Sequence, residues 1–136
     1  MANVSSYDTD KINRQEVYCM ATAVYHESRG EDIMGQIAVA HVILNRINSN
    51  RYPDTACKVI YQPKQFTDIA HANPDYNSYQ WENAIEAAVF ALTGIVDDPT
   101  AGAMHYYNPH KADPYWAGSK RESALIGNHR FMIASK

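Results

Sequence analysis

A chain of 136 residues, 46% hydrophobic and 20% charged, fits one globular domain over residues 1–136 rather than a disordered or fibrous chain. Its net charge of −3 gives no electrostatic footprint for nucleic acid, and no basic face stands out. No stretch approaches the length of a membrane span, so no stable membrane association is expected. A monomer is expected as well.

The first ten residues are polar and read as flexible, with neither the charged leader nor the apolar run of a secretory signal peptide. Asp8 to Asp10 offer an N-cap for a helix from about Lys11 to Ser28, whose Val17, Met20, Ala21 and Val24 share one face. Gly30 stands where a helix-ending glycine is expected. Glu31 and Asp32 place negative charge in the first turn of a second helix, from about Asp32 to Ser49. Met34, Ile37, Ala38, His41, Leu44 and Ile47 form its apolar face. Tyr52, before Pro53, is extended, and Asp54 or Thr55 caps a short third helix through about Tyr61.

Residues 62 to 76, with prolines at 63 and 74, form an irregular stretch long enough to be a functional loop. Asn77 or Ser78 caps a fourth helix from Tyr79 to Thr93, burying Trp81, Ile85, Ala88, Val89 and Leu92 and stopping at Gly94. Ala103 to Tyr107 has a strand's aromatic content, and Arg121 to Ile126 reads as a short helical turn. Gly127-Asn128 reads as a turn before a last strand, His129 to Ile133, which should pair antiparallel with the first. Cys19 and Cys57 are too few for a disulfide framework, so both are expected as buried thiols in a reducing cytosol.

Glu27 occupies the last turn of the first helix, where burial and the nearby carbonyl dipoles both disfavour a negative charge. A carboxylic acid still protonated near neutral pH is what glycosidic bond cleavage needs. The neighbouring His26-Glu27 pair invites a zinc-protease reading, but His-Glu-x-x-His fails because position 30 is glycine. The other histidines lack short ligand spacing and there is no Cys-x-x-Cys word, so neither metal nor cofactor is expected. Nor is there a Gly-x-Ser-x-Gly nucleophile elbow.

An ordered set of words then resembles a known family. Glu27-Ser28-Arg29-Gly30-Glu31, Gly35-Gln36, Val39-Ala40 and Val42-Ile43-Leu44-Asn45-Arg46 resemble the SleB-like cell-wall hydrolases of the spore-cortex-lytic type. Tyr52-Pro53, Cys57, Val59-Ile60-Tyr61, Gln65-Phe66-Thr67, Tyr106-Tyr107-Asn108-Pro109, Trp116 and His129 with Phe131 continue it in order, from about Glu16 onward. The resemblance implies a lysozyme-like α+β domain, mainly helical with a small antiparallel β element, acting on peptidoglycan glycan strands. It implies Glu27 as the catalytic acid. The outcome it implies is a lytic transglycosylase forming a 1,6-anhydro sugar, with a hydrolytic muramidase and a non-catalytic wall-binding protein as rivals. With no signal peptide, the chain is expected to be either a mature fragment or exported with help from another protein. A single-domain phage endolysin, made in the host cytoplasm, released through a holin pore and suited to Gram-negative hosts, fits the second.

Supporting roles follow for several residues. Soluble goose-lysozyme-like transglycosylases carry Glu-Ser, a Gly-Leu-Met-Gln word and Ala-Tyr-Asn. Glu27-Ser28, Met34-Gly35-Gln36 and Tyr107-Asn108 resemble these, which makes Tyr107 the candidate to steady the acid. Gln65 offers an amide to sugar groups, while Phe66, Tyr106 and Trp116 offer sugar-stacking faces. Glu31 reads chiefly as a favourable charge at the second helix's start, or as a group holding Arg29 or Glu27 in place. A hydrolase would need a second carboxylate, for which Glu31, Asp32, Asp68 and Asp97 are the candidates.

Overall fold

The computed structural model describes residues 13–62, 66, 69 and 73–134. The expected flexible residues 1–10, the expected cap at Asp8 to Asp10, Gln65 and Asp68 lie outside them. Four helices come first: α1 (Arg14–Ser28), α2 (Ile33–Ile47), α3 (Ala56–Ile60) and α4 (Tyr79–Thr93). Three strands follow: β1 (His105–Tyr107), β2 (Lys120–Ile126) and β3 (His129–Ala134). The sheet has the order β1-β3-β2, with both pairings antiparallel.

Each helix starts where a side-chain oxygen meets its free N–H groups. Asn13 caps α1, Asp32 caps α2, Thr55 caps α3 and Ser78 caps α4. Gly94 ends α4 in the left-handed conformation, as expected. Gly30 does not end α1 that way: the cap is Arg29 in right-handed geometry, and the chain turns through a bond from the Glu31 N–H to the Ser28 carbonyl. The apolar faces of α1, α2 and α4 converge on a core that contains Met20, Val24, Val39, Ile43 and Val89, with Ile60 from α3 and Phe131 from β3. Trp81, Ile85, Ala88 and Val89 are buried as expected, whereas Leu92 is only partly covered. Among the described residues no helix is long and apolar enough to cross a membrane.

Two expectations are corrected here. Arg121 to Ile126 is not a helical turn but most of β2, which pairs with β3 along its length. Good helix formers yield because pairing with β3 along the strand satisfies backbone groups, and Gly127-Asn128 closes a two-residue hairpin between Ile126 and His129. Ser123 sits in an irregularity of that register, and its hydroxyl donates to the Thr100 carbonyl at 2.7 Å. The cysteines, second, are not thiols: Cys19 and Cys57 form a disulfide between α1 and α3, with Cα atoms 5.1 Å apart. Beside it the Glu16 carboxylate accepts the Ala56 and Cys57 N–H groups, so the start of α3 is held to α1 twice.

The sheet is docked by α2. Asn45 Nδ2 donates to the Ala103 carbonyl at 2.9 Å, and Arg46 Nε to the Met104 carbonyl at 2.8 Å. Arg46 is 4% exposed, and its guanidinium lies over the Tyr52 and Phe66 rings, 5.0 and 5.4 Å from their centroids. The segment entering β1 is thereby fixed to the helical layer just before Tyr106.

No free thiol should titrate when the unreduced protein is unfolded. The bridge closes a 38-residue separation, so its removal as Cys19→Ser/Cys57→Ser should cost roughly 2–4 kcal/mol in urea unfolding. A stability unchanged by the double substitution would contradict the bridge.

Candidate active site

A cleft of about 700 Å³ opens where the end of α1 faces the sheet. Residues 26–31 form one wall, Tyr106 to Asn108 with Lys111 and Ala112 another, and Asn128 with His129 the third. Glu27, its side chain 24% exposed, reaches into this space from the last turn of α1.

The Tyr106 hydroxyl donates to Glu27 Oε1 at 2.8 Å, across 79 positions of sequence. Tyr106 is held on both sides: the His129 ring meets it edge-on at 5.1 Å, and Phe131, its register partner on β3, lies 5.7 Å away. Burial, then the Glu27 charge and the hydrogen bond itself, push the Tyr106 phenol well above its ordinary pKa. It therefore stays a donor at any working pH. With Oε1 accepting from Tyr106, Oε2 is the oxygen left to carry a proton; its 3.9 Å from His26 Nε2 is too long for a hydrogen bond.

The structure corrects the residue expected to steady the acid. That residue is Tyr106, not Tyr107, because successive strand residues point to opposite faces. Tyr107 still lines the cleft, with its ring edge-on to Trp116 at 5.7 Å and beneath the Arg130 guanidinium at 5.6 Å. Trp116 packs on His105 and Tyr107 and is not part of the cleft lining, so it offers the glycan no face there. Phe66 is 5% exposed beneath Arg46 and belongs to the core, not to a sugar platform. Asn108 lines the cleft, and its Oδ1 is engaged by the His110 N–H.

Ser28, next to the acid, is buried and its hydroxyl donates to the Val24 carbonyl, back along the helix rather than toward substrate. Gln36 is 2% exposed, is not part of the lining, and supports it from behind: Nε2 donates to the Glu31 carbonyl at 3.1 Å. Glu31 is not the cap of α2, which is Asp32. Its carboxylate crosses instead to the β2–β3 turn, where Oε1 accepts the Asn128 N–H at 2.7 Å and Oε2 the Asn128 Nδ2 at 3.0 Å.

Lys111, Asn128 and His129 were not foreseen as site residues. Gly127-Asn128 carried a turn signal and His129 a place in the family pattern, but neither signal points to a cleft. His129 is 7% exposed, with Nδ1 3.8 Å from Glu31 Oε1. Burial lowers its pKa against the opposing pull of Glu31 and Glu27, so the ring is neutral at neutral pH.

A carboxyl group at a helix end, facing a small antiparallel sheet across a cleft, defines a lysozyme-like α+β domain. Residues 30–132 match the family model described as Cell Wall Hydrolase, and the chain belongs to that family. The catalytic domain of the germination-specific lytic transglycosylase SleB from Bacillus anthracis is 36% identical, with a TM-score of 0.76 over 90% of this chain and 97% of that one. The catalytic domain of the Bacillus cereus SleB protein is 38% identical at the same TM-score, over 89% of this chain and 91% of that one. The spore cortex-lytic enzyme of Halalkalibacterium halodurans is 42% identical over 120 residues, 85% of this chain and 34% of that protein. The chain spans between about a third and under half the length of the curated relatives it matches.

Tyr106→Phe removes one hydroxyl and keeps the ring. The bond strengthens as Glu27 gains charge on giving up its proton, and a bond to a charged acceptor is worth about 1.5–3 kcal/mol, so kcat on purified wall should fall roughly ten- to hundredfold with the fold intact. Tyr107→Phe should cost much less. Equal losses in the two variants would contradict the assignment of Tyr106.

Proposed function

We propose that this domain cleaves the peptidoglycan glycan strand between N-acetylmuramic acid and N-acetylglucosamine as a lytic transglycosylase, with Glu27 as general acid and then base. The observation that carries the reading is the pairing of one oriented acid with one carboxylate already engaged. Glu27 is held by Tyr106, while Glu31, the other carboxylate among the described lining residues, has both oxygens bonded to Asn128. The SleB structures, named as a lytic transglycosylase in one case, support the same class of reaction.

The steps need one carboxyl group. Glu27 Oε2–H gives its proton to the glycosidic oxygen as the bond to the muramic acid anomeric carbon breaks. The resulting Glu27 carboxylate then takes the proton of that sugar's 6-hydroxyl, whose oxygen closes on the anomeric carbon to give the 1,6-anhydro ring. Water is neither consumed nor released, and Glu27 ends protonated as it began. A hydrolase requires a second carboxylate, about 5–5.5 Å away if retaining and about 6.5–9.5 Å if inverting. Of the expected partners, Asp32 is spent as the α2 cap and Asp97 is not part of the lining.

In this reading the domain acts as a monomer, a single catalytic unit working on the wall and not on the membrane. We further propose the endolysin route: synthesis in a host cytoplasm and release through a holin-type pore. The Cys19–Cys57 bridge supports a site of action in an oxidising compartment outside the cytosol.

Glu27→Gln is nearly isosteric and removes the transferable proton. Lysis of purified wall should drop by on the order of 10² to 10⁴ while the protein stays folded, and wild-type products should resist borohydride reduction at muramic acid. Activity within tenfold of wild type would remove Glu27 from the role. For the route, cells expressing the chain should lyse only after their inner membrane is permeabilised. Lysis without permeabilisation would refute release through a pore.

A further inference from the structure

Asn128 stands at the tip of the β2–β3 hairpin, exposed and on the rim of the cleft. Its backbone N–H and its side-chain Nδ2 both donate to the same partner, one to each oxygen of Glu31. A carboxylate only accepts, so this leaves the Asn128 amide one orientation: NH₂ toward Glu31 and Oδ1 away from it. Among the described residues Oδ1 has no protein partner.

The partner that sets this orientation is itself largely covered and held at its backbone. The Glu31 side chain is 11% exposed, and its main-chain carbonyl is held by Gln36. Gly127, at φ +58°, passes against the carboxylate, and a Cβ there would collide with Glu31 Oε1. The turn is therefore built around the carboxylate. The energy spent on a covered charge is disproportionate if the aim were only to close a hairpin, since Gly-Asn at two residues closes one unaided.

We propose that Glu31 is a positioning residue that presents Asn128 Oδ1 to the cleft as an acceptor for the acetamido N–H of an amino sugar in the bound strand. This rests on the glycan-cleaving reading above. A sugar hydroxyl both donates and accepts, so it would pair with an amide in either orientation and would gain nothing from fixing it. An acetamido N–H only donates. A fixed acceptor is what distinguishes a ring bearing it. Glu31 then contributes to the reaction without touching the reacting atoms.

The test is kinetic, on purified glycan strands. In Glu31→Gln the new NH₂ faces the Asn128 side chain and draws Oδ1 back toward it, so the amide turns its donors to the cleft. KM should rise roughly three- to tenfold, the worth of one hydrogen bond, with kcat little changed. Asn128→Ala, an exposed change that does not depend on how Glu31 variants fold, should raise KM equally. The double variant should be no worse than Asn128→Ala alone, because the two residues act as one unit.

N-acetylglucosamine oligomers should inhibit the wild type better than glucose oligomers of equal length, and Asn128→Ala should erase that preference. A preference that survives Asn128→Ala overturns the acetamido assignment. A loss of on the order of 10² or more in kcat for Glu31→Gln would make Glu31 a second catalytic carboxylate and overturn the positioning role. So would additive effects in the double variant. Failure of the glycan-cleaving reading shows elsewhere, as a wild type that releases no glycan fragments from purified wall.

Discussion

The bond from the Tyr106 hydroxyl to Glu27 Oε1 joins the two layers of the domain at the point where its chemistry would occur. Glu27 belongs to the helical layer and Tyr106 to the sheet, so the acid is oriented only while the two stay docked. Much of the structure serves that docking. Asn45 and Arg46 bind the carbonyls just before β1, Phe131 carries β3 into the helical core, and Glu31 ties the β2–β3 turn to the α1–α2 connection. A single hydrogen bond contributes little to folding free energy, but here it selects which carboxyl oxygen is engaged and which is left over. The packing behind it determines how sharply that selection is made.

The helical half was legible because its signals are local. Ser78 and Gly94 bound α4 as capping chemistry requires, and Trp81, Ile85, Ala88 and Val89 fall on its buried face. The sheet was less legible because its determinants are distant. Lys120–Ile126 contains good helix formers, and only pairing with β3 makes it a strand. The disulfide left no mark on spacing: two cysteines 38 positions apart meet because α1 packs on α3.

The site divides in the same way. Glu27's place at a helix end made it only a candidate, since such a glutamate is more often a solvated surface residue, and the family words gave it a role. Which tyrosine would meet it could not be read, since a three-residue strand is too short to set the phase of its alternation. Glu31 looked like a charge for the helix that follows it, because four positions in sequence are visible and 97 are not. Ser28 and Gln36 were expected near substrate by analogy, and Phe66 and Trp116 as faces for sugar stacking. The structure gives three of them to the support of the walls and the core, and turns the Ser28 hydroxyl back along its helix.

The proposed reaction requires that one carboxyl group suffices. Digestion of purified peptidoglycan in heavy-oxygen water, followed by mass spectrometry of the fragments, measures this directly. Cleavage through the sugar's own 6-hydroxyl should leave the new muramic acid ends as 1,6-anhydro rings with no label from solvent. One heavy oxygen at each new reducing muramic acid end would mean that water attacks the anomeric carbon, and would contradict a single-acid transglycosylase.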